Sequence, residues 1–389
     1  MIDYTKKRIG IIGGGQLGKM MILEAKRLGF YVVTLDPTPD CPSHGISDEH
    51  IIAEFDDQAA YFELAQKVDV ITYEFEHINA ETLDLLEKEN HTIYPSVTAL
   101  KTIKNKFLQK HELADNAIPV PIFMELHETS HIFKFAEMCA LPYPLMLKTT
   151  TGGYDGKGNT LIENEADVFD AVTRLGGIKQ GLMLEKFIPF KKEISVIACR
   201  GIDGKRVIYP VAENHHVNSI LDITVVPARI SKTALDNAAL IADKVMQVFE
   251  GVGTFCIEMF VTEDDRVLVN EIAPRPHNSG HYTIEGCFAN QFENHIRAII
   301  GLPFGNVDLI SPTVMVNLLG ESDGVAQLVG LEEAYRDPNI HIHLYGKSES
   351  KTSRKMGHFT IVDEDLEVAL EKAMKIKSMV KVVGGARGF

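Results

Sequence analysis

A chain of 389 residues is too long for one ordinary core and divides into roughly two to four domains. With 45% hydrophobic and 24% charged residues it has the composition of a soluble globular protein, and no run approaches the roughly 18 apolar residues of a membrane span. A net charge of −15 disfavours general nucleic-acid binding, which relies on clustered Lys and Arg.

The opening "MIDYTKKRIG" runs straight into a strand, without the apolar stretch and cleavage site of a signal peptide. Strands "KRIGIIGG", "YVVTLD", "HIIAE" and "VDVITYEFE" alternate with amphipathic helices through the first hundred residues. Such βα alternation predicts a parallel sheet with crossover helices, a Rossmann-like domain over 1–105. Gly13, Gly15 and Gly18 spell G-x-G-x-x-G after the first strand, and Asp36 closes the second. That is the dinucleotide fingerprint, so an NAD-dependent dehydrogenase is one reading.

Near residue 100 the pattern changes. "SVTALKTIKNKFLQKHELADN" reads as one helix, stopped by the prolines of "AIPVPIF". Strand pairs follow, an antiparallel α+β pattern, with 232–249 an amphipathic helix between strands. After 305 the chain returns to short strands with a charged helical end. The α/β and α+β parts divide as 1–105, 106–305 (a small lobe about 115–185, a larger one about 186–305) and a small, mainly β C-terminal domain, 306–389. Cys41, Cys139, Cys199, Cys256 and Cys287 are scattered without C-x-x-C spacing and read as reduced packing residues of a cytoplasmic enzyme.

Two stretches carry chemistry. Gly152, Gly153, Gly156 and Gly158 lie between strand-like segments, where glycines let backbone N–H groups approach a phosphate. Lys157 is followed by Gly158 and a strand, which excludes a P-loop, and strand–loop–strand predicts a mobile flap over a nucleotide. Lys148 on the incoming strand offers the phosphates a point charge; the plainer reading is a flexible hairpin with a surface lysine. In "CIEMFVTEDDRVLVNEIAPR", a two-residue turn at Asp264-Asp265 makes Glu263 face Arg266 and Glu258 face Glu271. Opposed carboxylates in apolar strands repel, and a bridging Mg²⁺ turns repulsion into attraction, with Asn270 as a further oxygen donor. The plainer reading is an exposed hairpin face. The loop that follows gathers Arg275, His277, Asn278, Ser279 and His281.

A lysine, a glycine flap, the hinge "LEKFIPFKKE" and a Glu…Asn-Glu pair in this order resemble the ATP-grasp superfamily. "GGGQLGKMM", "YEFEHI", "NEIAPRPHNSGH" and "KTSRKMGH" resemble one member family, the 5-(carboxyamino)imidazole ribonucleotide synthases. The resemblance implies an ATP-grasp fold between a Rossmann-like domain and a small C-terminal domain. The implied reaction is carboxylation of the amine of 5-aminoimidazole ribonucleotide with ATP and bicarbonate, through carboxyphosphate. It assigns ATP to Lys106, Lys148, Gly153, Tyr154, Asp155, Gly156, Lys157, Gly158, Asn159, Glu185, Lys186, Phe187, Ile188, Glu193, His216, Asn270 and Glu271. Mg²⁺ goes to Glu258 and Glu271, and the ribonucleotide to Gln16, Leu17 and Glu76, with Lys347, Arg354 and Lys355 on its phosphate. Arg275, His277 and Asn278, with Lys148, are the implied catalytic group, with His277 or the released phosphate accepting the amine proton. A homodimer is also implied.

Three departures from the family pattern stand out: Lys106 where arginine is frequent, Ser219 where glycine is expected, and "KTSRK" without its usual proline and glycine. Ser219 leaves the choice between His215 and His216 open. A sister ATP-grasp enzyme, such as a formate-dependent glycinamide ribonucleotide transformylase, and a non-catalytic nucleotide-binding regulator are the alternatives beside the dehydrogenase.

Overall fold

The structure, a computed structural model, describes residues 6–138, 143–153 and 158–386. Four parallel strands open the chain, in the order Glu49–Ile51, Tyr31–Leu35, Arg8–Ile12, Val70–Tyr73. Between strands Arg8–Ile12 and Tyr31–Leu35 runs the helix Gln16–Arg27, which buries Leu17, Met20, Met21, Ile22 and Ala25. That stripe packs on Ile9, Ile11 and Val32 of the sheet, as its roughly 3.6-residue spacing requires.

The helix read over 96–116 is two helices, Val97–Lys104 and Lys106–Asp115. Asn105 breaks it: its backbone is extended, and its side chain accepts from the N–H groups of Phe107 and Leu108. An asparagine N-cap competes locally with helix propagation, a signal that periodicity alone passes over. The break places Lys106 at the start of the second helix, its own N–H bonded to the Thr150 carbonyl at 2.7 Å.

A four-stranded antiparallel sheet carries the glycine loop, in the order Phe123–Leu126, Leu182–Lys186, Leu145–Thr149, Asn159–Ile162. The remaining large sheet has nine strands, with Phe190–Arg200 lying between Gly253–Thr262 and Ala212–Val217. Helix Lys232–Val248, N-capped by Ser231, covers one face of it with Ala238, Ile241, Ala242 and Val245. Each such aliphatic side chain larger than alanine contributes about 1.5–3 kcal/mol when fully buried. The other face carries polar groups. The sheet continues without interruption past residue 305, because Ile220–Val226 pairs with Thr313–Leu319, which in turn pairs with Lys355–Val362. Helix Leu366–Met379 leads into strand Lys381–Gly385, which joins Gly324–Val329. Among the described residues no helix is long and apolar enough to cross a membrane.

Candidate active site

Glu258 and Glu271 are directly paired across the antiparallel ladder. The counting that predicted this pairing was wrong at the turn. Thr262 N–H bonds the Arg266 carbonyl at 3.0 Å, so the turn holds three residues, with Asp265 left-handed at φ 63°, and Glu263 does not face Arg266. A β-bulge then compensates: Met259 pairs with Val269 while Glu258 pairs with Glu271, leaving Asn270 as the extra residue. The Asn270 carbonyl so released accepts from Lys110 Nζ at 2.8 Å.

Because side chains alternate along a strand, Glu193 and Ser195 share a sheet face with Glu258, and Asn214 and His216 extend it. Burial raises the Glu258 carboxyl above its ordinary range, and Glu271 and Glu193 add to this against the pull of His216. The donor set is hard oxygen on a face of like charges, which suits a divalent hard cation. Among the described residues no group of three or more His, Cys, Asp or Glu is arranged to hold a metal, so a cation on the two carboxylates would need further oxygen ligands from an amide such as Asn270, from solvent or from a bound phosphate.

Cations surround this pair. Lys106 Nζ lies 2.5 Å from Glu271 Oε1; burial opposes its charge, but Glu271 prevails and holds its pKa up. Glu185 is buried between two ammonium groups, Lys110 at 2.9 Å and Lys148 at 2.7 Å. Burial pulls the Lys110 pKa down to about 8, and Lys148 adds to the fall. One carboxylate for two buried ammonium groups leaves an excess positive charge that an anion would balance. Lys110 escaped the sequence reading, since lysine in an amphipathic helix is ordinarily a surface residue. Its only signal was its place four residues after Lys106, one turn along the same face. The Glu185 side chain is thus engaged, and the Lys186 N–H bonds the Ile122 carbonyl at 2.8 Å, while Phe187 and Ile188 lie beyond the strand end, partly exposed.

His216, not His215, meets the site. His216 Nδ1 lies 2.7 Å from Glu193 Oε2, whereas His215 pairs with Glu213 on the opposite face, beside Arg229. Burial would lower the His216 pKa, but the Glu193 hydrogen bond and charge raise it. Ser219 sits with Asn218 in a two-residue turn where both φ angles are positive, 64° and 50°, a backbone that suits glycine, the residue expected there. Ser353, in "KTSRK", is likewise left-handed at φ 68°. Gly152, Gly153 and Gly158 have φ of 70°, 82° and 88°, and Asn159 pairs with Lys148 between the two adjacent strands. Tyr154, Asp155, Gly156 and Lys157 lie outside the described residues, as does Cys139.

Arg275 Nε bonds Glu76 Oε2 at 2.7 Å. Burial opposes the Glu76 charge, yet Arg275 beside it holds the carboxyl down to about 2. His277 Nδ1 lies 2.9 Å from Ser279 Oγ, and Asn278 exchanges two amide hydrogen bonds with Asn317 at 3.0 and 2.8 Å.

In the N-terminal loop the dinucleotide reading fails on geometry. Glu74 Oε1 accepts from Gly15 N–H at 2.5 Å and Oε2 from Gly18 N–H at 2.6 Å, so the protein's own carboxylate fills the turn that would cradle a pyrophosphate. Asp36 Oδ2 takes the Gly14 N–H at 2.7 Å, using the acid that would otherwise meet a ribose. Gly13, at φ 99°, has no room for a side chain: a Cβ would lie 2.4 Å from Glu74 Cγ. Gln16 Oε1 accepts from Lys347 Nζ at 2.7 Å, and Lys347 also reaches the Lys355 carbonyl at 2.7 Å, which joins the N-terminal domain to the "KTSRK" loop. Leu17 is buried under the sheet, and Arg354 is exposed, bonding the Glu349 carbonyl at 2.8 Å.

Residues 6–104 match the ribonucleotide synthetase preATP-grasp domain, 111–292 the ATP-grasp domain, and 313–372 the phosphoribosylaminoimidazole carboxylase C-terminal domain. The chain is 44% identical over 360 residues to the N5-carboxyaminoimidazole ribonucleotide synthase of Staphylococcus aureus, covering 92% of this chain and 93% of that one. The crystal structure of the synthetase from Thermotoga maritima superposes with a TM-score of 0.88 at 46% identity, over 97% of this chain and all (100%) of the other. A synthase from Aspergillus clavatus, in complex with ADP and 5-aminoimidazole ribonucleotide, gives a TM-score of 0.88 at 35% identity, over 96% and 98% of the two chains.

Proposed function

The chain belongs to the N5-carboxyaminoimidazole ribonucleotide synthases of the ATP-grasp superfamily, and from that membership we propose how its residues divide the work. It is an ATP-dependent carbon–nitrogen ligase that carboxylates the amine of 5-aminoimidazole ribonucleotide in purine biosynthesis. Our assignment places ATP between the two antiparallel sheets. Lys106 and Lys148 face its phosphates, Glu193 and His216 its ribose, residues 185–188 its adenine, and the loop 153–159 closes over it. The observation that carries this is the excess buried positive charge around Glu185, which a polyphosphate balances.

Glu258 and Glu271 would hold Mg²⁺, which when bound supplies electrostatic stabilisation to a transferring phosphoryl group. Bicarbonate is a poor electrophile, so we assign it attack on the γ-phosphate to give carboxyphosphate, with Lys148 stabilising the charge that develops. Arg275, His277 and Asn278 surround that intermediate. Flap closure shields it from water, in which it is unstable. Gln16, Leu17 and Glu76 would meet the ribonucleotide, and Lys347, Arg354 and Lys355 its phosphate; the Gln16–Lys347 hydrogen bond supports a shared pocket.

Bicarbonate labelled with ¹⁸O tests the route. One label transferred per inorganic phosphate released supports carboxyphosphate, and unlabelled phosphate sinks it. A homodimer rests on the resemblance alone and is read by light scattering. The free, buried Cys41, Cys199, Cys256 and Cys287 support a cytoplasmic setting.

A further inference from the structure

Behind His277 runs a line of buried polar side chains that the assignments above leave unused. Ser279 Oγ lies 2.9 Å from His277 Nδ1, and the Ser279 backbone N–H donates to the same nitrogen at 3.3 Å. Ser195 Oγ donates to Ser279 Oγ at 2.9 Å, and Asn214 Nδ2 donates to Ser195 Oγ at 2.8 Å. Thr224 Oγ1 completes the line with a hydrogen bond to Asn214 Oδ1 at 3.0 Å. Ser195, Asn214, Thr224 and Ser279 are all buried.

The chemistry of the donors gives the line one direction. Thr224 donates to the Asn214 carbonyl and the Asn214 amide nitrogen faces Ser195, and an amide nitrogen only donates. The Ser195 proton is then directed to Ser279, and the Ser279 proton to His277 Nδ1. Cys256 Sγ, 3.5 Å from Ser279 Oγ, is a weak competitor for it. The Ser279 backbone N–H, which can only donate, favours the same assignment, but at 3.3 Å it is the weaker hold and does not fix the ring without the hydroxyl. Nδ1 is therefore an acceptor, and the neutral ring carries its proton on Nε2. No described residue hydrogen-bonds Nε2.

We propose that Ser279, Ser195 and Asn214 are positioning residues that lock His277 as the Nε2–H tautomer, making it a hydrogen-bond donor to the carboxylated intermediate and not the base that takes the amine proton. This rests on the reading above that His277 faces that intermediate. Burial, with Arg275, Lys355, His281 and His216 around the ring, also keeps the imidazole neutral, pushing its pKa well down. The proton balance closes without a protein base. The amine nitrogen bonds to the carbon of carboxyphosphate, the carbon–oxygen bond to phosphate breaks, and the leaving phosphate takes the amine proton. The products are the carbamate and hydrogen phosphate.

Two experiments test the proposal separately from the family activity. In ¹⁵N-histidine NMR of the full chain, assigned by loss of the signal in His277→Gln, Nδ1 should be unprotonated and Nε2 protonated. A ring protonated on Nδ1 overturns the proposal whether or not the enzyme turns over. Absence of ADP release by the wild type would count against the family reading instead. In kinetics, His277→Gln keeps a donor N–H near the Nε2 position but no basic nitrogen, and His277→Ala keeps neither. The donor role predicts a loss of about 10²–10³-fold in kcat for His277→Ala, with His277→Gln at least ~10-fold faster than that. Equal losses in the two overturn it. Ser279→Ala and Ser195→Ala should each lower kcat several-fold with the KM for ATP unchanged, and should mix the His277 tautomers. An unmixed spectrum in both removes the serines from the account.

Discussion

Lys106 Nζ lies 2.5 Å from Glu271 Oε1, so the carboxylate that opposes Glu258 is neutralised by a cation from the start of helix Lys106–Asp115, 165 residues away in sequence. The pairing makes Glu258 the less compensated member of the hairpin. Glu258→Gln removes a partly buried charge set against two other carboxylates, so the free protein should be as stable or more stable, by up to about 1 kcal/mol. The added stability that Mg-ATP confers should largely disappear. Thermal melts with and without Mg-ATP decide: a less stable free protein with an undiminished Mg-ATP shift would exclude the metal assignment.

Lys110 shares Glu185 with Lys148 inside the protein. Lys110→Met fills the volume but leaves the carboxylate with one partner and frees the Asn270 carbonyl from its hydrogen bond. The expected cost is about 3 kcal/mol in urea unfolding, together with weaker ATP binding by calorimetry. A change within about 0.5 kcal/mol, the scale of surface substitutions, would place Lys110 outside the cluster's energetics.

Ser219 and Ser353 occupy left-handed backbone, at φ 64° and 68°. A residue with a Cβ pays roughly 1–2 kcal/mol there, against which glycine loses unfolded-state entropy. Ser219→Gly and Ser353→Gly should each raise stability by about 0.5–1 kcal/mol, visible as a higher Tm. A lower Tm for both contradicts the turn geometry.

Glu76 is held down to about 2 by Arg275 in the folded protein, while an unfolded glutamate titrates near ~4.3. A depressed carboxylate contributes stability that is fully present above the unfolded value and is lost as pH falls from about 4.3 through about 2. Urea unfolding between about pH 6 and 3 should show a steeper acid loss in the wild type than in Glu76→Gln. Parallel profiles would show that the Glu76–Arg275 pair carries no such linkage.

Much of this was legible in the sequence, for reasons tied to particular residues. The parallel sheet followed from βα alternation, and helix Lys232–Val248 from its apolar period. The Glu258–Glu271 pairing was reached by counting from a turn one residue too short, and the bulge at Asn270 cancelled the error. Bulges answer to contacts from elsewhere, here Lys110 on the Asn270 carbonyl, so local pattern cannot place them. Glu74 in the glycine turn was missed because a fingerprint names the turn and not its occupant. The line from Thr224 to His277 draws on residues up to 84 positions apart between bonded neighbours, and only the sheet brings them together.

The most direct measurement is ADP release across a small matrix of amine and acid substrates. The account predicts release that needs both 5-aminoimidazole ribonucleotide and bicarbonate, and that falls to background when either is withheld. Equal release with glycinamide ribonucleotide and formate in their place would contradict it.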